Sequence, residues 1–115
     1  MLEEVLDEFM TIDGVSAAVI VGKDGSVIES SSFNSINLDT IGSIISTCLG
    51  SPELIGGTLA LGELHDLTVE LDKGPVYLAP LTEREIIAVV ADTAGTVGHV
   101  RTELQKNRSR LVAAL

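Results

Sequence analysis

The chain opens on a helical period. Leu2, Val5, Leu6 and Phe9 fall at i, i+3, i+4 and i+7, with Glu3, Glu4, Asp7 and Glu8 on the opposite face, which predicts an amphipathic helix over Leu2–Met10. Acids in its first turn suit the helix dipole. Asp13-Gly14 ends it, and the period shortens. Val15–Val21 is an apolar run rich in β-branched residues. Gly22-Lys23-Asp24-Gly25 supplies the residues that tolerate positive φ in a tight hairpin turn, and Val27–Ser32 returns with alternation. A first strand apolar on both faces predicts a place inside a doubly covered sheet, beside another apolar strand. A second strand that turns polar predicts a sheet edge.

After the polar connector Ser30–Ser35, a helical period resumes. Asn37 or Ser35 can cap it, and Leu38, Ile41, Ile45, Cys48 and Leu49 form its apolar stripe. Gly42, Ser46 and Gly50 fall four apart on a neighbouring face, which lets another backbone come close. At Ser51-Pro52-Glu53 the pattern supports two readings. Either a long helix bends or restarts at Pro52 and runs to about Leu61, or Gly56-Gly57 breaks it and Thr58–Leu64 is a strand. Three strands follow: Asp66–Asp72, Pro75–Leu81 and Glu85–Asp92, the last holding the apolar run Ile86–Ala91 and expected at the centre of the sheet. Asp92 or Thr93 caps a final helix striped by Val97, Val100, Leu104, Leu111 and Leu115. Arg101, Lys106, Arg108 and Arg110 gather toward its C-terminal end as the one basic patch, a solvated face or a contact for an acidic partner. The order α-β-β-α-β-β-β-α predicts one α/β (α+β) domain over residues 1–115, with a five-stranded, mostly antiparallel sheet and helices on both faces.

Composition adds one inference to this picture. Hydrophobic residues make up 45% of the chain and mean hydropathy is +0.40, yet no apolar run approaches the ~20 residues that span a bilayer. Apolar excess without a span predicts a second buried surface between subunits. A net charge of −10 argues against nucleic acid and against anionic membrane surfaces. One cysteine, Cys48, excludes an internal disulfide, and an acidic N-terminus without a long apolar core gives no signal peptide, so a cytoplasmic protein is expected.

Catalytic signatures are missing from the pattern. Gly22-Lys23 is followed by Asp24 and lacks the upstream glycine of a phosphate loop. His65 and His99 have no carboxylates at ligand spacing, and Cys48 sits in an apolar stripe. Arg84 is a lone loop arginine, better read as solvated than as an arginine finger. No cofactor, metal or enzymatic activity is expected.

Several stretches in order carry a resemblance. They are the opening helix into Asp13-Gly14-Val15, the apolar strand, Lys23-Asp24-Gly25, a strand ending in serines, Leu61-Gly62-Glu63-Leu64, Asp72-Lys73-Gly74-Pro75, the run Ile86–Ala91, and Ala94-Gly95-Thr96-Val97. Together they resemble the Roadblock family, which includes dynein light chains and prokaryotic MglB-type regulators of small Ras-like GTPases. The resemblance favours one long second helix, closed by Leu61–Leu64, with Pro52 and Gly56-Gly57 as departures. It implies a profilin-like sheet and a homodimer whose second helices pack together and whose third strands, near Asp66–Asp72, pair across the two-fold axis. Candidate dimer-interface residues are then Ile41, Ile45, Cys48, Leu49, Leu67, Thr68, Val69 and Glu70, and candidate partner contacts are Arg101, Arg108 and Arg110. It further implies a non-enzymatic regulator or scaffold for a small Ras-like GTPase, or alternatively a structural adaptor light chain with no effect on GTP hydrolysis.

Overall fold

A computed structural model describes residues 1–115. Its elements run α1 (Leu2–Met10), β1 (Val15–Gly22), β2 (Val27–Ser32), α2 (Leu38–Cys48), α3 (Gly50–Thr58), β3 (Leu67–Leu71), β4 (Gly74–Pro80), β5 (Glu85–Ala91) and α4 (Ala94–Ala114). The five strands form one sheet in the order β2-β1-β5-β4-β3, and every neighbouring pair is antiparallel. The two apolar strands β1 and β5 sit at the centre side by side, with Val19 opposite Ala88 and Ile20 opposite Ile87.

Alternation along these central strands separates two cores. Ala18 and Ile20 of β1, with Tyr77, Ala79, Ile87 and Val89, face α1 and α4 and meet Val5, Leu6, Phe9, Val97, Val100, Leu104 and Leu111. Val19 and Val21 face the other way and, with Leu78, Ile86 and Ala88, pack on Ile45 of α2 and on Leu49 just after it. Burial on both faces explains why β1 and β5 read as continuous apolar runs. The larger core lies under α1 and α4; the smaller one is covered by α2, with Leu64 of the segment after α3 at its margin.

Local chemistry sets the helix ends. The side chain of Asn37 accepts from Thr40 N–H at 3.1 Å and starts α2, and Thr93 does the same for Thr96 N–H at 3.2 Å to start α4. Gly42 lies so close to the carbonyl of Gly25 in the β1–β2 turn that a Cβ there would overlap it. The small-residue face of α2 thus packs on the hairpin turn of its own chain.

The second helix is interrupted earlier than Pro52 itself. Proline has no N–H to give the carbonyl four residues back, and its ring crowds that carbonyl. The residue four back is Cys48, where α2 stops; the turn at Leu49 keeps right-handed helical dihedrals and α3 resumes at Gly50. The expected helix to Leu61 also ends sooner, at Thr58. Leu61 N–H donates to Gly56 O at 2.8 Å and Ala60 N–H to Gly57 O at 3.2 Å, with Ala60 at φ 56°. That is a Schellman closure with alanine in the left-handed position usually given to glycine. Leu61-Gly62-Glu63-Leu64 therefore lies in an irregular segment outside the helix, in which only the Leu61 N–H helps to close α3, and it does not form the alternative strand.

Candidate functional site

The face of the sheet served by α2 is only partly covered, and the uncovered part is apolar. In α3 no residue is buried. Leu54 is 70% exposed, Ile55 56%, and the segment that follows adds Leu59 and Leu61. Ile44 on the outer side of α2 is exposed as well. From the sheet, β3 contributes Val69 and Leu71, both exposed. They lie on the α2 side, since Leu67 stands opposite Leu78 and Val69 opposite Val76, which pack in or against the smaller core. A helix of nine residues without a buried side chain gains little from its own protomer, because isolated helices of that length are marginal in water.

Few contacts hold α3 in place. Glu53 faces Lys23 of the hairpin turn at 3.7 Å, and Gly56 is in backbone contact with Gly62 O. Between α3, the segment after it and the β4–β5 turn lies an open cleft of about 620 Å³, lined by Lys23, Glu53, Glu63, His65, Glu83 and Arg108 among others. Its charges are mixed, and Leu64, Pro80 and Leu81 add apolar surface to its walls. No group of three or more His, Cys, Asp or Glu side chains is placed to hold a metal ion.

At the far edge, β3 is hydrogen-bonded only to β4, so its outer backbone groups have no partner in this chain. Its start is held by a polar cluster. Arg101 Nε of α4 donates to Asp66 Oδ2 at 2.7 Å, and Tyr77 Oη donates to the same oxygen at 3.3 Å, with the guanidinium 5.6 Å from the centre of the Tyr77 ring. Burial, and then the neighbouring Asp66 carboxylate, push the Tyr77 hydroxyl up to about 12.

The residues singled out in the sequence separate into groups. Ile45 and Leu49 are buried in the chain's own smaller core, and Ile41 and Cys48 are half-buried against it. The α2 stripe therefore faces its own sheet. Periodicity shows which face is buried, not by which chain. Leu67 also packs against that core, Thr68 is half-buried, and Val69 and Glu70 are exposed on opposite faces of the edge strand. The interface candidates read from the sequence do not include Ile44, Leu54, Ile55, Leu59, Leu61 and Leu71. For those in and after the helices the signal was apolar residues falling off the α2 stripe, and for Leu71 it was the alternation it shares with Leu67 and Val69.

Each arginine of the basic patch is fastened within the chain. Arg101 is paired with Asp66, Arg108 donates to the carbonyl of Pro80 at 2.7 Å, and Arg110 makes a two-pronged pair with Glu8 at 2.9 and 3.0 Å. Arg110, chiefly by hydrogen bonding, holds the Glu8 carboxyl below its usual range. His99 faces Glu103 at 3.9 Å on the surface of α4. No helix is long and apolar enough to cross a membrane.

Residues 1–91 match the model of the Roadblock/LC7 domain. Two uncharacterized proteins of Methanocaldococcus jannaschii are each 26% identical over 113 residues, 98% of this chain and 98% of theirs. Among solved structures, MglB of Myxococcus xanthus superposes with a TM-score of 0.83 at 17% identity, over 99% of this chain and 96% of that one. A Roadblock/LC7 domain of Streptomyces avermitilis gives 0.78 at 17% identity, over 96% and 97%.

Proposed function

The chain belongs to the Roadblock/LC7 domain family, and from that premise we propose that it is a cytoplasmic, non-enzymatic, dimeric regulator or binding partner of a small Ras-like GTPase, in which residues 1–115 act as one Roadblock unit. The observation that carries the dimer is the uncovered apolar face: Ile44, Leu54, Ile55, Val69 and Leu71 exposed on one side of the molecule, bordered by the unpaired edge of β3. A second copy placed about a two-fold axis would join the β3 edges into one continuous sheet and set α2–α3 against its counterpart. That arrangement covers the side chains left open while Ile45 and Leu49 remain in their own cores. A solved MglB described as having a tetrameric arrangement, similar at a TM-score of 0.82, keeps larger assemblies open for a protein of this fold. The GTPase role rests on the family resemblance, in which such proteins position the GTPase's own catalytic groups.

The test has two parts. Light scattering after gel filtration should give twice the mass of one chain for the wild type and the mass of one chain for Leu71→Asp or Ile44→Asp. GTP hydrolysis by a Ras-like GTPase encoded beside this protein should then change when the wild type is added. A monomeric wild type sinks the dimer. A dimer that neither binds the GTPase nor alters its rate sinks the regulatory role, whereas stable binding without a rate change supports the adaptor reading.

A further inference from the structure

We propose that the opposite sheet edge, β2, receives an extended basic segment of a partner protein by strand addition. β2 pairs only with β1. Phe33 N–H donates to Ser16 O at 3.1 Å, and Ser31 stands opposite Ala18 and Ser30 opposite Val19. In an antiparallel ladder, alternate residues turn their backbone groups inward. Phe33, Ser31 and Glu29 therefore bond to β1, and the backbone groups of Ser30 and Ser32 point outward along the free edge. One of these outward donors already has a makeshift acceptor: Ser30 N–H meets the carboxylate of its neighbour Glu29 at 3.2 Å. An incoming strand would supply a carbonyl at that place.

The edge is only lightly protected, by an irregularity at Ile28 in its pairing with β1 and by the carboxylate of Glu29. Exposed edges are commonly blunted by lysine, proline or inward-pointing charge, and Val27–Ser32 contains no lysine or proline. Ile28, 42% exposed, and Phe33, 72% exposed, leave apolar surface toward either end of the strand.

Charge selects the occupant. Residues 1–72 hold thirteen of the seventeen acids and one of the seven bases, Lys23. Asp7 of α1 accepts from the Ser31 hydroxyl at 2.8 Å, which places its carboxylate at the β2 edge; Glu3 lies one helical turn before it and Glu29 within the strand. A second copy of β2 would bring these carboxylates against one another, whereas a segment with lysine or arginine between apolar positions would be matched on both counts. The proposal does not depend on the β3 dimer, which leaves this edge free.

The experiment uses the full chain, isotope-labelled, titrated with a short peptide alternating valine and lysine and, separately, with its valine–glutamate counterpart. The lysine peptide should shift the amide resonances of Ser30 and Ser32 and slow their hydrogen exchange. Ser30→Pro removes an outward N–H while sparing the β1 ladder, since proline is tolerated at such edge positions; it should weaken the peptide about tenfold or more. The pair Asp7→Lys with Glu29→Lys should weaken it comparably and decides the matter if the proline variant does not fold. Equal binding by wild type and the folded variants, equal binding of the glutamate peptide, or shifts confined to β3 and α2–α3 would overturn the proposal. So would self-association of the free protein that Ser30→Pro abolishes, because the edge would then belong to a second copy.

Discussion

At the scale of single residues, Ala60 and Tyr77 show how position reverses ordinary preference. Ala60 holds φ 56° to let two amides close the end of α3. An alanine in the left-handed region carries a penalty of roughly 1 kcal/mol that glycine avoids. Ala60→Gly should therefore raise stability by up to about 1 kcal/mol in urea unfolding, with an unchanged denaturant slope; a loss of stability would show that the turn does not persist in solution. Tyr77 is the single tyrosine in a chain without tryptophan, so its titration can be followed by absorbance without interference. Its hydroxyl is pushed up to about 12, first by burial and then by Asp66. A raised value means that the folded state holds the proton more tightly, so the contribution is complete below the ordinary value near 10 and is lost as pH rises from there through about 12. The loss should reach about 2–3 kcal/mol. Asp66→Asn should lower the midpoint toward the ordinary phenol value, and an unmoved midpoint would remove Asp66 from the cause. Neither feature could be read in sequence. Alanine carries no mark of a helix end, and Asp66 and Arg101 meet only because the fold brings the residue before β3 beside α4.

At the scale of elements, what could be read was whatever one element decides for itself. The apolar runs of β1 and β5 announced central strands, and the Lys23-Asp24-Gly25 turn announced a hairpin. The α2 stripe at Ile41, Ile45, Cys48 and Leu49 announced a buried face but not its owner, because an amphipathic pattern is the same whether the burying surface is in the same chain or the next. The interruption at Cys48–Leu49 follows from Pro52 acting four residues upstream. Pro52→Ala restores the missing donor, so α2 and α3 should fuse and helical ellipticity should rise; identical spectra would place the cause of the break elsewhere. Since α3 has no buried side chain, its amides should exchange nearly freely at dilutions where the protein is monomeric and slow when it is concentrated. Protection that is independent of concentration would mean that α3 is stable without a partner.

At the scale of the whole molecule, charge and apolar surface are segregated in complementary ways. Acids dominate residues 1–72 while the remaining residues carry six bases against four acids, and the open apolar face borders only the β3 edge. If that face is closed by a second copy, the thermal midpoint should climb with protein concentration, and Leu71→Asp should abolish the dependence while leaving the secondary structure intact; a midpoint flat with concentration would count against the closed face. The sheet order has a different implication for how the chain is made. Its central seam joins β1, which begins at Val15, to β5, which ends at Ala91, and Glu8 is tied to Arg110 nearly the whole chain away. Such long-range closure is slow relative to local structure. On the ribosome β1 must wait, one edge open, until almost the entire chain has emerged, with only β2 beside it. The interval between the first hairpin and the arrival of β5 is when this protein is most exposed to mispairing, and the stage at which a holding chaperone would matter most.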